Sequence, residues 1–438
     1  MRRDVHREGP RRRRPQRSDE RRLEAPRSIS DPDPEARAGD GSHVLLHRSR
    51  RTPSGGGGAV TSLEWGLPVV AKYLFGGLSA GAFVTYYLWQ GFGLQRFRPL
   101  AKLAWISAAV FGLVIPVPIF SHLGQPGRWP NLLTNFHWSS PMSWAGPILI
   151  AYVITVLING RFFFYRDVVL AHRTASGFRR KALRILLITK PPIGAIPEPS
   201  RLGLKVTGAV GFILVLFFGY SGLELGIIPS RPLWANPINP LMFLLTGIIS
   251  GMAFVLLLWL VLERRPGASP GPAEEGVLRS LFLPALLALF LGLNAISFVS
   301  LSYSPPDVRP AVLLLATGEL AALFLWVGLG LGVVVPMVVL AANAVLRNPR
   351  MSLAAVSAVL VLIGGFAQKY GFLAAGQYYE APAGETYSSV WPTMTDVVEF
   401  LAVLALVYAL FQVALWISPW KRAPTAAEEP APPKEVTA

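Results

Sequence analysis

The chain has 438 residues, of which 52% are apolar and 15% charged, with a formal charge of +16 and no cysteine. Soluble chains carry about 25% charged residues, so a chain this long and this poor in charge cannot cover an aqueous surface and belongs in a membrane. The lack of cysteine excludes thiolate-held iron–sulfur clusters, Cys-ligated zinc, disulfides and a thiol nucleophile within the chain.

The charge is unevenly placed. Residues 1–60 hold 15 Arg and 9 Asp/Glu, with Arg11 to Arg14 in a row. This stretch is rich in Pro and poor in aromatic residues, and it cannot bury enough apolar area to offset its ordering entropy. It reads as a disordered tail. Alone it would suit a nucleic-acid or anionic-lipid arm, but no folded nucleic-acid module follows it, and it lacks the apolar segment of a signal peptide. Gly55 to Gly58 followed by Ala59 and Val60 has the form of a translated purine-rich ribosome-binding site and GTG start. The natural chain is therefore expected to begin at Val60, the alternative being a genuine tail.

Apolar stretches long enough to cross a hydrocarbon core of roughly 30 Å recur from there to residue 418. Nine are expected: Val69 to Gly93, Ala101 to Leu123, Met142 to Phe164, Lys205 to Ile228, Ile238 to Leu262, Ser280 to Ser302, Pro310 to Ala341, Leu353 to Gly376 and Asp396 to Ser418. The seventh exceeds an upright span, so it is tilted, bent near Pro336, or begins outside the core. The fold class is an all-α, polytopic helical bundle. Residues 1–60 form a tail, 61–420 the membrane domain and 421–438 a disordered cytoplasmic tail.

Basic residues near span ends are retained in the cytoplasm. Connections after spans 1, 3, 5 and 7 carry many, among them Arg98, Lys102, Arg173, Arg179, Arg180, Lys181, Arg184, Arg264, Arg279 and Arg347, whereas those after spans 2, 4 and 6 carry Arg128, Arg231 and Arg309. The N-terminus is accordingly expected outside and the C-terminus in the cytoplasm.

Ionisable residues inside spans are costly and default to functional hypotheses. Lys72, Glu224, Glu319, Lys369 and Glu399 all fall on the extracytoplasmic half of this arrangement. Lys72 either snorkels to the interface or is a buried donor. Glu399 reads as a helix-start carboxylate favoured by the dipole. Glu319 is expected buried and paired, with Lys369 as partner. Glu224 follows Tyr220 by four residues and shares its helix face, although Tyr220 alone would also suit an interfacial aromatic. Of six His, only His122 and His137 lie near spans, so paired haem ligands are lacking. Nor is there a phosphate loop or dinucleotide fingerprint. The small residues from Gly76 to Gly81 read as a helix-packing face. No haem, iron–sulfur cluster or metal is expected in this chain.

Several stretches, in order, carry a resemblance: Tyr73 to Gly81; His122-Leu-Gly-Gln-Pro-Gly-Arg-Trp129, leading to Ser139 to Trp144; Tyr220-Ser-Gly222; Arg231-Pro-Leu-Trp234; and Gly364-Gly-Phe366 with Gly376-Gln377. The chain resembles the NrfD/PsrC family of quinone-binding membrane subunits of molybdopterin and iron–sulfur oxidoreductases, which includes polysulfide reductase. The resemblance implies a menaquinone or ubiquinone site at the outer end of the first four-helix bundle, involving Lys72, His122, Tyr220 and Glu224. It also implies a docked ferredoxin-like iron–sulfur subunit, a molybdopterin-type catalytic subunit beyond it, and a prokaryotic cytoplasmic membrane. Gln125, Arg128, Trp129, Arg231 and Trp234 are then candidate docking residues, against belt aromatics, and Glu319, Lys369 and Asn294 candidate members of a proton path. The family's Asp-Leu-Gly-Arg-Pro loop is here His122-Leu-Gly-Gln125-Pro, Lys369 stands where Arg is frequent, and a ninth span goes beyond the eight of polysulfide reductase. The rival classes are a secondary transporter, which would be expected to show internal repeats that are not evident here, and a purely structural anchor.

Overall fold

The apolar stretches become helices long and apolar enough to cross a membrane, nine of them among the residues described by the computed structural model. Those residues are 63, 65–92, 97–123, 125–188, 192, 194–217, 220–229, 231–263, 272–303, 308–378 and 390–420. The expected Arg-rich tail (1–60) and C-terminal tail (421–438) lie outside them.

In chain order the helices are α1 (Leu67–Phe92), α2 (Arg98–Val114), α3 (Pro116–His122), α4 (Asn131–Thr134), α5 (Ala145–Phe163), α6 (Tyr165–Thr174), α7 (Gly177–Leu187), α8 (Arg201–Leu216), α9 (Tyr220–Gly226), α10 (Asn239–Glu263), α11 (Pro272–Leu278), α12 (Phe282–Ser302), α13 (Arg309–Ala316), a π-helical segment (Ala322–Val334) running into α14 (Val335–Val345), α15 (Met351–Tyr378) and α16 (Met394–Ile417). No strand occurs among the described residues. The spans are α1, α2 with α3, α5, α8 with α9, α10, α11 with α12, the π-helical segment with α14, α15 and α16. Pro116 does not end the second span, because Ile115 before it keeps right-handed helical dihedrals.

Helix α1 is buried along most of its length and packs chiefly on α10 and α2. Lipid supplies no hydrophobic drive between helices, so close approach through small residues takes its place. Gly77 and Gly81 on α1 face Gly247 and Gly251 on α10. A Cβ on Gly77 would stand 2.8 Å from the Gly247 Cα, and one on Gly81 would stand 2.6 Å from the Gly247 carbonyl oxygen. The glycine run is thus a packing face. Mid-bundle, the Ser79 hydroxyl donates to the Ala108 carbonyl at 2.7 Å and lies 3.0 Å from the Tyr152 hydroxyl, which joins α1, α2 and α5.

Where α2 begins, Asp167 of α6 is met by Arg98 at 2.9 Å and by Lys102 at 3.1 Å. Lys102 also donates to the Pro419 carbonyl at 3.0 Å, tying the chain just past α16 to this cluster. The ion pairs thus join α2 to α6, and the end of the ninth span is held to them by the Lys102 hydrogen bond; disrupting the pairs would strand a charge.

The seventh expected span requires correction. It is not one helix from Pro310: α13 stops at Ala316, where the Gly318 N–H bonds back to Leu313, and a turn precedes the π-helical segment. Glu319 lies in that turn and is exposed rather than buried in a span. The π-helical segment ends just before Pro336, which has no N–H to continue a helical ladder, and Gln368 of α15 donates to its Gly328 carbonyl at 3.0 Å.

The Gly81 contact yields a prediction. Gly81→Val should destabilise the protein by about 1–3 kcal/mol or more through overpacking, seen as a lower melting temperature in detergent. Gly91→Val, which meets nothing within 4 Å, should be nearly neutral.

Candidate functional site

The start of α1, the α2–α3 junction, the start of α5 and the α8–α9 region come together at one end of the first four spans and enclose a cavity of about 300 Å³. Its walls are mainly apolar, with Val69, Ile115, Ile119, Leu149 and Phe217 among them; Lys72, Tyr73, Ser221 and Glu224 supply the polar groups. This is the lining expected for an amphipathic ligand: apolar walls and a few convergent polar atoms.

Lys72 and Glu224 form an ion pair across this wall, Nζ to Oε2 at 2.7 Å. The Glu224 side chain is 4% exposed and that of Lys72 24%. Tyr73 donates its hydroxyl to the same carboxylate oxygen at 3.2 Å, and the Lys72 ammonium lies 4.9 Å from the Tyr73 ring centre. A carboxylate so deeply buried needs such partners, since an ion left alone in a low-dielectric interior costs several kcal/mol. Gly222 allows the geometry: a side chain there would collide with the Asn239 carbonyl, so its absence brings α9 onto the start of α10.

Of the site residues expected from sequence, Lys72 and Glu224 meet directly. His122 ends α3 and Tyr220 opens α9, adjacent to Leu123 and Ser221 of the cavity lining, but the side chains of His122 and Tyr220 lie outside the described residues. Tyr73 is a site residue that sequence reasoning misses. Its signal is position: it follows Lys72 and opens the first of the motifs that carry the resemblance.

Trp234 turns inward, which corrects its place among the docking residues, and Arg231 beside it is half-buried. Trp234 is 1% exposed, stacks on Trp65 at 5.2 Å, and donates its indole N–H to the Phe372 carbonyl. Arg231 donates to the Gly376 and Gln377 carbonyls at the end of α15, at 3.2 and 3.0 Å. Gln377 exchanges two hydrogen bonds with the Trp65 backbone. The Arg231–Trp234 and Gly376–Gln377 motifs thus form one clasp around Trp65, itself part of the cavity wall. Gln125, Arg128 and Trp129 are exposed, on and around the 3-10 turn Pro126–Arg128.

A second cavity, about 60 Å³, lies among α10, α12, the π-helical segment and α15, with Asn294, Gln368, Thr246 and Lys369 in its lining. The expected Lys369–Glu319 pair is not formed. Lys369 is buried and donates to the Thr246 hydroxyl at 2.7 Å, while Glu319 is exposed in its turn. Asn294 donates to Phe290 of its own helix at 2.9 Å. Phe243 stands between the two sites, edge-on to Tyr73 at 5.4 Å and under the Lys369 ammonium at 5.2 Å. Among the described residues no group of three or more His, Cys, Asp or Glu gathers as a metal set.

If the Lys72–Glu224 contact is an energetic pair, a double-mutant cycle with Lys72→Met and Glu224→Gln should return a coupling of about 1–3 kcal/mol, read from unfolding in detergent. Additive effects would show that the two residues act separately.

A family model described as "Polysulphide reductase, NrfD" matches residues 58–381. A selenate reductase subunit of Mesobacillus selenatarsenatis is 24% identical over 55% of this chain, which spans 57% of that protein's length. Protein NrfD of Escherichia coli is 27% identical over 63% of this chain and 84% of its own length. A polysulfide reductase polypeptide of Wolinella succinogenes is 29% identical over 73% of this chain and 96% of its own length. With most of its membrane-spanning region matched by the family model, the chain belongs to the NrfD family.

Proposed function

We propose that this chain is the quinone-binding membrane subunit of a multi-subunit oxidoreductase in a prokaryotic cytoplasmic membrane. It exchanges electrons between membrane menaquinol or ubiquinol and the clusters of a ferredoxin-like iron–sulfur subunit, which serves a molybdopterin-type catalytic subunit. The reading is carried by the Lys72–Glu224 pair, with its carboxylate buried, on the wall of an apolar cavity of about 300 Å³. Relatives named as parts of selenate and polysulfide reductases support it.

The residues fit a quinone headgroup. Its ring would lie against Val69, Ile115 and Leu149, with a carbonyl oxygen facing the Lys72 ammonium, which has donors beyond the one given to Glu224. Phe217 lines the cavity and is 45% exposed, giving an isoprenoid tail a way out to lipid. When a quinol is oxidised, two electrons leave for the partner's clusters and its two hydroxyls release two protons, one to Glu224 and the other to bulk water. Glu224 is placed to accept one as a general base, its charge having been balanced by Lys72 beforehand, and it passes the proton on toward the face where the cavity lies. Beyond Phe243, Lys369 and Asn294 are the groups that would extend this route into the second half of the bundle, with Glu319 exposed at the same end. Gln125, Arg128 and Trp129, exposed next to α3, are the proposed docking surface for the iron–sulfur subunit.

Purified in mild detergent from its natural membrane, the chain should bring with it molybdenum- and iron-containing subunits and a quinone. In such a complex Glu224→Gln or Lys72→Met should lower quinol-linked turnover by roughly 10²-fold or more while the partners stay bound. Unchanged turnover in both variants, with no quinone in the purified complex, would remove this reading.

A further inference from the structure

At the opposite end from the cavity, α6 and α7 connect the third and fourth spans. Gly177 turns the chain between them with φ +56°, a left-handed conformation open chiefly to glycine. Helix α7 then presents three distinct sectors. Leu183 and Leu187 are buried against the protein. Phe178, Ile185 and Leu186 are 71%, 76% and 48% exposed, and Ile188, just past the helix, is 81% exposed. Arg180, Lys181 and Arg184 lie exposed on a third sector, within four residues of one another.

Exposed apolar side chains on one flank of a short helix and cations on the next have a direct physical meaning at a bilayer boundary. Such a helix lies in the interface plane, with its apolar flank in the acyl region and its cations at headgroup level. Its position agrees. Phe178 stacks on Trp416, in the last turn of the ninth span, at 6.1 Å, and Trp416 is itself 51% exposed, so the apolar flank of α7 continues a lipid-facing surface. Ile188 holds its side chain outward from a backbone with φ +60°, which a β-branched residue rarely adopts.

The basic sector supplies the second half of the argument. Among the described residues no carboxylate lies within ion-pair distance of Arg180, Lys181 or Arg184. Their field is felt by His172 of α6, outside the spans, whose pKa lies below the ordinary histidine range, first through burial and then through Arg180 and Arg184. The anion that would neutralise this sector must therefore come from elsewhere, and the apolar flank alongside fixes which anion is amphipathic enough to reach both.

We propose that α7 is an anionic-phospholipid site, in which Arg180, Lys181 and Arg184 hold a lipid phosphate while Phe178, Ile185 and Ile188 sit among its acyl chains. The site is separate from the quinone cavity and does not depend on it.

The full chain, delipidated in detergent, is titrated with phosphatidylglycerol and with phosphatidylcholine, and bound lipid is counted by native mass spectrometry. Phosphatidylglycerol should bind at roughly 100-fold lower concentration, the summed attraction of three basic residues for an anionic headgroup. Arg180→Gln with Lys181→Gln and Arg184→Gln should erase the difference, and Arg180→Lys with Arg184→Lys should keep it. Equal binding of the two lipids, or an undiminished preference in the triple variant, overturns the proposal. Should the triple variant not fold, the absence of cysteine allows Ile185→Cys to carry the only thiol-linked fluorophore. Its emission should be quenched by brominated phosphatidylglycerol in vesicles and less by brominated phosphatidylcholine. No quenching, or equal quenching by both, overturns the proposal as well.

Discussion

A carboxylate with 4% exposure in a membrane domain must be compensated where it stands, and Glu224 is compensated by Lys72 at 2.7 Å and Tyr73 at 3.2 Å. That requirement fixes the start of the first span against the end of the fourth. The space left between them, closed by α3 and the start of α5, is the cavity. Its polarity is gathered around the same pair: with Tyr73 and Ser221 beside it and a mainly apolar wall elsewhere, a ligand's hydrogen-bonding end has one direction in which to point. The glycine contact between α1 and α10 and the Trp65–Trp234 clasp hold the frame around this pair.

Much of this is legible in the amino-acid sequence, for identifiable reasons. Nine spans can be read because a helix in lipid must be apolar on every side over about 20 residues, a property visible without knowing any neighbour. Lys72, Glu224 and Lys369 stand out because an ionisable group in such a run is conspicuous. Partnership is a different matter. Sequence groups Glu224 with Tyr220 on its own helix and matches Glu319 to Lys369; the observed partner of Glu224 is 152 positions away, and that of Lys369 is a neutral hydroxyl 123 positions away. Periodicity reports which face a residue shares, not which helix meets that face. The break at Thr317–Leu320 escapes because the hydropathy on either side is continuous, although Gly318 and Glu319 mark the place. Trp234 reads as a surface residue because an aromatic near a span end has two ordinary fates, the belt and the core, and its partners Trp65 and Phe372, distant in sequence, decide between them.

The two ends of the bundle carry different chemistry. At one end lie the Lys72–Glu224 cavity and, across Phe243, the Lys369 cavity, each set at the corresponding end of a group of four spans. At the other lie the Arg98–Asp167–Lys102 cluster, whose Lys102 also holds the chain end after the ninth span, and the basic flank of α7. On this account quinone chemistry occupies the first end, and the second fastens the protein to its own helices and to the lipid beneath it.

The central claim is that a quinone headgroup rests against Lys72 and Glu224. A photoreactive quinone analogue, activated in the assembled complex and followed by peptide mapping, tests it most directly. The account predicts label on the segments that line the cavity, residues 65–76, 115–123, 145–149 and 217–224, competed away by natural quinone and lost in Lys72→Met. Label confined to the α10–α15 cavity around Lys369, or spread over the lipid-facing surface without competition, would contradict it.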